Sequence, residues 1–258
     1  MKPNESSNNI FVLEVEYDGA NYAGFQIQPN VKTVQGELQK ALENIYQTKI
    51  TIKASGRTDA GVHAKRQIFH FTPPKLIKNI NLKLAINSQI NRDIRIRKVG
   101  IANLNFHSRF SAIERTYKYY ILLKKDIFSR NYSWQINYDI NVKYLKKCAK
   151  IVKGEHDFTA FCNSSSEINH KLCVVKKSNW KIKNNSLIYT ITANRFLHNM
   201  VRSLVGLMIK VGNGEKTVDN FRKILGDKIR HFDIYTAPPQ GLFLEKVRYN
   251  NEIRWIIK

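Results

Sequence analysis

The chain has 258 residues, 43% of them apolar, which is material for one large or two modest cores and excludes disorder as the default state. Lysine and arginine number 43 against 20 acids, and the formal charge of +23 points to polyanions, nucleic acid before an anionic membrane, unless lysine-rich composition alone has produced a solvated basic surface. Residues 1–9 hold no signal-like apolar core, apolar runs such as residues 204–209 fall far short of a membrane span, and Cys148, Cys162 and Cys173 form no Cys-x-x-Cys pair; the expectation is a reducing cytoplasm without a disulfide framework.

Phe11, Leu13, Val15 and Tyr17 alternate with Val12, Glu14 and Glu16 at strand period. After a polar loop, Thr33 is placed to cap a helix in which Val34, Leu38, Ala41, Leu42 and Ile45 recur at helical spacing. Residues 50–53 fit a short strand. A glycine-bearing loop, residues 55–61, leads to a strand over residues 67–72, stopped by Pro73 and Pro74. A helix is expected over residues 82–90 and a strand over residues 94–99. The second half repeats the rhythm. Tyr117, Tyr119 and Ile121 alternate in a strand, Val142, Leu145, Ala149 and Val152 fit a helix, and Leu187, Tyr189, Ile191 and Ala193 make another strand. Phe196, Met200, Leu204, Leu207, Met208 and Val211 form a long stripe of helical period. Val218, Phe221 and Leu225 mark a short helix closed by Gly226 as C-cap, and a last strand covers residues 242–249. Strands and helices mixed in this way, with strands sometimes adjacent, predict an α+β fold with largely antiparallel sheets. No low-complexity linker interrupts the chain; the boundary falls over residues 100–108, giving halves of residues 1–105 and 106–258.

The densest chemical signal is Ser55-Gly56-Arg57-Thr58-Asp59-Ala60-Gly61-Val62-His63-Ala64. Gly56 and Gly61 permit sharp turns or close approach of a ligand. A carboxylate on such a loop beside a cation stays ionised and can serve as nucleophile or base, whereas a lone Asp between glycines more commonly bonds nearby backbone N–H groups. His156, Cys162, His170 and Cys173 fit no common zinc spacing, so no metal site is expected, and neither a P-loop nor a dinucleotide fingerprint is present.

The whole string closely resembles the catalytic loop of TruA-type tRNA pseudouridine synthases. The resemblance extends in the same order through Tyr17-Asp18-Gly19 with Gln26 and Gln28, then residues 106–112 followed by Tyr117 and Tyr119, then residues 154–158 with Phe161. It continues through Phe196-Leu197 and Met200-Val201-Arg202 to Ala237-Pro238 with Gly241-Leu242. It implies two related ferredoxin-like α/β halves forming one extended sheet with a central cleft, no cofactor, a homodimer and a tRNA partner. The activity implied is isomerisation of uridine at positions 38, 39 and 40 of the anticodon stem-loop. Asp59 is then the catalytic carboxylate and Arg202 the cation that holds it ionised. Tyr117 stacks on the flipped uracil, with a hydroxyl able to help remove the C5 proton. Arg57 fills the vacated space or grips phosphate, Leu242 touches uracil, and His63 and Arg109 join Lys65, Arg66 and Arg115 as candidate RNA contacts. Tyr119, on the face of Tyr117, reads as core.

The match departs at Phe25, where tryptophan is usual, at Lys65-Arg66, at Asn91-Arg92, at Arg195 and at Asn199; none of these removes Asp59, Tyr117 or Arg202. Two other readings stand beside the isomerase: an RNA-binding or tRNA-folding protein without activity, and a synthase acting on other RNA positions.

Overall fold

A computed structural model describes residues 9–75, 77, 80–162, 170–229 and 234–257. The elements begin with β1 (Asn9–Tyr17), α1 (Val34–Tyr46), β2 (Lys53–Ala54), β3 (His63–Phe71), α2 (Leu82–Asn87), β4 (Ile94–Asn103) and β5 (Glu114–Leu122). They continue with β6 (Trp134–Gln135), α3 (Val142–Ile151), β7 (Gly154–Asp157), β8 (Leu172–Lys183), β9 (Ser186–Ala193), α4 (Met200–Gly212), α5 (Val218–Gly226), β10 (Leu242–Arg248) and β11 (Arg254–Ile257). The class is α+β, with antiparallel pairing throughout the registers that define the sheets except for the short β5·β6 pair. Two compact units form. One holds the described residues through Ile113 and those from Leu244 onward, and the other runs from Glu114 to Phe243. The halves read from the sequence break at residue 105; the compact units break at 113, and most of β10 belongs to the first.

In the first unit the strand order is β11-β4-β1-β3-β10, with β2 also paired to the end of β3. One face of β1 meets α1, whose start is capped by the Thr33 hydroxyl accepting from Gly36 N–H at 3.2 Å. The α1 stripe Val34, Leu38, Ala41, Leu42 and Tyr46 is buried, and the Tyr46 ring meets Phe71 edge-on, 5.8 Å between centroids. Successive side chains of a strand point to opposite faces, so Val12 faces away from Phe11 and Leu13. It is nonetheless fully buried, because Val247, Tyr249, Ile253 and Trp255 cover a cluster of Ile10, Val12, Ile68, Ala102 and Phe106. β3 starts at His63, ahead of the expected residue 67, because its pairing to β1 continues past the exposed Lys65 and Arg66 to Ala64 opposite Tyr17. α2 stops at Asn87, whose side chain instead brackets Ile96 of β4 through bonds of 2.7 and 3.0 Å.

In the second unit the order is β5-β9-β8-β7. β8 and β9 form a hairpin turned by Asn184 and Asn185, both at positive φ, 47° and 60°, the geometry that matches strand twist in a two-residue turn. β8 escaped the sequence reading because a bulge between Val175 and Lys177 breaks its alternation. α4 is buried nearly all round and lies against β8, where Trp180 Nε1–H donates to Met208 Sδ at 3.2 Å. Its start corrects an expectation: the helix begins at Met200, because Asn199 sits in the left-handed region (φ 62°), and Phe196 and His198 lie outside it. The expected Gly226 cap is likewise corrected. Gly226 is the last helical residue and Asp227 leaves in extended backbone, while Thr217 and Asn220 close a capping box at the other end of α5.

Candidate active site

Residues 55–64 form the passage from β2 into β3. Ser55 N–H donates to Ile68 O at 2.8 Å, and the Ser55 hydroxyl donates a short bond to Gln67 Oε1. Gln67, fully buried, also donates Nε2–H to Gly56 O at 2.9 Å. Beyond Asp59's neighbour Thr58, Tyr17 and Thr58 share a hydroxyl–hydroxyl bond of 2.8 Å, Phe25 N–H donates to Thr58 O at 3.0 Å, and Val62 N–H donates to Asp59 O at 3.1 Å. Gly61 adopts φ 74°, where a Cβ is unfavourable, whereas Gly56 has an ordinary φ and open space where a Cβ would stand. Only Gly61 therefore turns the chain as expected. Asp59 is half-buried on this pinned backbone, and Arg57 beside it is exposed.

His63 corrects the sequence reading. Its side chain is 2% exposed, so it offers RNA no surface. Nδ1 lies 3.1 Å from the Gly19 N–H and 3.0 Å from Asp18 Oδ1. The amide demands a lone pair on Nδ1 and the carboxylate demands a proton, so the tautomer decides which partner is served. Either way the ring ties residues 18–19 to the start of β3, which makes it a support of the loop.

The same unit carries a second histidine cluster. His70 Nδ1 lies 2.8 Å from Ser108 Oγ and accepts from Ser108 N–H at 3.2 Å, and its ring stands 4.9 Å from that of His107. Burial, then the neighbouring His107 and Lys53 charges, lower the His70 pKa to about 4. Arg109 is exposed and lies over the Phe110 ring at 5.6 Å, with Phe110 itself exposed. Lys65 pairs with Glu245 at 3.3 Å, and Arg66 is exposed.

The second unit holds the other expected site residues. On β5, Arg115, Tyr117, Tyr119 and Ile121 share the buried face. Tyr117 meets Phe196 edge-on at 5.0 Å. Tyr119 is wholly buried, its hydroxyl donates to Pro238 O at 2.7 Å, and burial raises its pKa well above the ordinary tyrosine range. It is core, as read from the sequence. Arg115 is also buried and donates Nη1–H to Asn194 O at 2.8 Å, a structural contact and not an exposed RNA ligand. Arg202, half-buried in the first turn of α4, donates Nε–H to Ala237 O at 2.8 Å and Nη1–H to Asn199 Oδ1 at 3.1 Å. The Ala237 amide returns a bond to Arg202 O at 3.1 Å. That segment approaches closely because residue 206 is glycine: a Cβ there would overlap the Tyr235 carbonyl oxygen. Leu242, buried, opens β10 directly after a short 3-10 turn, Pro239–Gly241.

The sequence reading missed Gln67, Tyr17 and Asn199 as positioning residues, since their roles depend on partners remote in the chain. Phe158 and Phe161, in one of the resembling segments, pack with each other and with Phe221 and belong to the core. No grouping of three His, Cys, Asp or Glu residues suited to a metal occurs among the described residues, and no described helix is long and apolar enough to cross a membrane.

A family model described as tRNA pseudouridine synthase matches residues 14–111 and 148–250. A protein of Geobacillus sp. (strain WCH70) named tRNA pseudouridine synthase A is 38% identical over 240 residues, covering 92% of this chain and 97% of its own. Proteins of the same name from Borrelia duttonii (strain Ly) and Bacillus subtilis (strain 168) are 43% and 37% identical, each covering 92% of this chain and 98% of their own.

Proposed function

The chain belongs to the tRNA pseudouridine synthase family, and from that premise we propose that it isomerises uridine to pseudouridine in the anticodon stem-loop of tRNA, at positions 38, 39 and 40, with Asp59 as the catalytic carboxylate. The reaction breaks the N1–C1′ bond, turns the uracil and joins C5 to C1′; the proton lost from C5 is matched by one gained at N1. Atoms and electrons balance within the nucleoside, so the chemistry calls for no oxidant, reductant or cofactor.

The observation that carries the reading is the setting of Asp59: a half-buried carboxylate on a loop pinned by Gln67, Tyr17 and Phe25, with exposed Arg57 beside it. A base within a stack hides its reacting face, and extrusion costs a few kcal/mol that phosphate contacts can offset. In this reading Arg57 grips the distorted backbone or fills the vacated space, and Arg109 binds phosphate. Tyr117 stacks on the extruded uracil, Leu242 touches its apolar edge, and Arg202 supplies the cation of the site. The sheet order β4-β1-β3-β2 in a β1-α1-β2-β3-α2-β4 sequence supports a ferredoxin-like first half. A related second half, a shared cleft, a homodimer and a cytoplasmic setting complete the proposal; three buried free cysteines fit a reducing compartment.

Asp59→Asn keeps the size of the side chain and removes its charge. Chemical mapping of pseudouridine is the readout, since the isomerisation leaves mass unchanged. Turnover is expected to fall roughly 10⁴-fold or more, with tRNA affinity nearly retained. Undiminished turnover ends the assignment of Asp59, and tight tRNA binding by wild-type protein without any product favours an RNA-binding protein without activity.

A further inference from the structure

The reaction proposed above leaves unused the turn that follows β5 in the second unit. Between Leu122 and Trp134 the chain is braced at nearly every residue. Asp126 N–H donates to Gln135 Oε1 at 3.1 Å, and Gln135 Nε2–H returns a short bond to Asp126 O. The Asp126 carboxylate accepts from Ser129 N–H at 3.0 Å and from Phe128 N–H at 3.4 Å. Arg130 Nη1–H donates to Ile127 O at 2.7 Å, and the Ser133 hydroxyl donates to Ser129 O at 2.9 Å. The single acid of the turn is thus engaged by the turn's own amides.

The outer face carries Lys124, Lys125, Ile127, Phe128, Arg130 and Tyr132, all exposed. Phe128 is 85% exposed and Ile127 67%. Leaving two adjacent large apolar side chains in water forgoes burial of roughly 1.5–3 kcal/mol each. A braced turn that does so, ringed by three cations, has the composition of a surface that stacks bases and holds phosphates.

Charge and size select the occupant. A second copy placing this turn on the two-fold axis itself would set three cations against the same three. A membrane needs more apolar area, since even one myristoyl chain anchors only marginally. A nucleotide matches both features, one ring for one ring and one phosphate for each cation. We propose that this turn is an RNA contact separate from the reacting uridine, in which Phe128 stacks on an unpaired base and Lys124, Lys125 and Arg130 hold the flanking phosphates. It rests on the tRNA reading above. Tyr117 is buried on β5, whereas Phe128 is exposed on the turn that follows, so in this proposal the base on Phe128 is a different nucleotide from the one on Tyr117.

The test measures tRNA affinity, turnover at saturating tRNA, and melting temperature for wild type, Phe128→Ala and Phe128→Trp. Phe128→Ala is expected to raise Kd by about 5-fold to 100-fold, the range for loss of one stacked base, and Phe128→Trp to restore it. Turnover at saturation and melting temperature stay unchanged. Replacing Lys124 and Lys125 together by Ala lowers the slope of log K against log salt by about 1.5. Unchanged Kd in Phe128→Ala, with wild-type protein binding and converting tRNA, overturns this proposal alone. So does an unchanged Kd accompanied by lost binding to anionic phosphatidylserine vesicles, or by a smaller species in sedimentation. Wild-type protein that neither binds nor converts tRNA overturns the underlying reading and this one with it.

Discussion

The Asp59 loop and the Arg202 helix start are both held to fine tolerances, by different means. In the first unit a stretch without regular structure is fixed by buried polar side chains: Gln67 reaches Ser55 and Gly56, and the Tyr17 hydroxyl reaches Thr58. In the second unit Arg202 is fixed by close packing. Gly206 lets the 235–237 segment lie against α4, which delivers the Ala237 carbonyl to the guanidinium. A loop has no ladder of its own, so its precision rests on a few bonds of about 0.5–1.5 kcal/mol net, each costly to leave half-made. A helix is already regular, so its precision rests on what lies beside it.

Four perturbations sharpen or break this comparison. Arg202→Met keeps an unbranched stem and removes the guanidinium with its charge and donors; turnover is expected to fall about 10²-fold to 10³-fold with tRNA affinity little changed, as when one preorganised donor is removed. A single-turnover rate equal to wild type would detach Arg202 from the chemistry. Gln67→Leu removes the Gln67 partners of the Ser55 hydroxyl and of the Gly56 carbonyl. It is expected to cost about 1–3 kcal/mol in urea unfolding and to lower turnover as the Asp59 loop loosens. Gly206→Ala puts a Cβ into the Tyr235 carbonyl, and overpacking of this kind costs roughly 1–3 kcal/mol. Its signature is a loss of turnover that tracks Arg202, while the first unit's amide exchange stays unchanged.

The fourth perturbation concerns acid. The His70 pKa is lowered to about 4 from an ordinary 6.5, so the folded state resists protonation that the unfolded chain accepts. Its contribution to stability is complete above about pH 6.5 and is lost as pH falls through the window from about 6.5 to about 4. His70→Asn should flatten unfolding free energy across that window; an unaltered slope would show that other groups govern it.

Regular periodicity made α1, α3, β5 and β9 legible from residue order alone, because each buries one stripe or one face against its neighbours. The reading failed where tertiary contacts override the local pattern. β8 hides behind its bulge, and α4 starts only after Asn199 turns left-handed. Val12 is buried because the distant Trp255 and Tyr249 segment covers that face. The site divides along the same line. Asp59, Tyr117 and Arg202 could be put forward as candidates from motif and order, whereas the burial of His63 and Arg115 could not, because burial depends on which surface another part of the chain comes to cover.

The sequence by itself determined the α+β class, the basic character and the family, since composition, hydrophobic period and an uninterrupted motif are properties of order along the chain. Tertiary structure alone decided which side chains brace the Asp59 loop, that His63 supports it from within, and that Phe128 stands exposed on a hydrogen-bonded turn. Those are relations between residues far apart in sequence, set when folding exchanges water for particular partners.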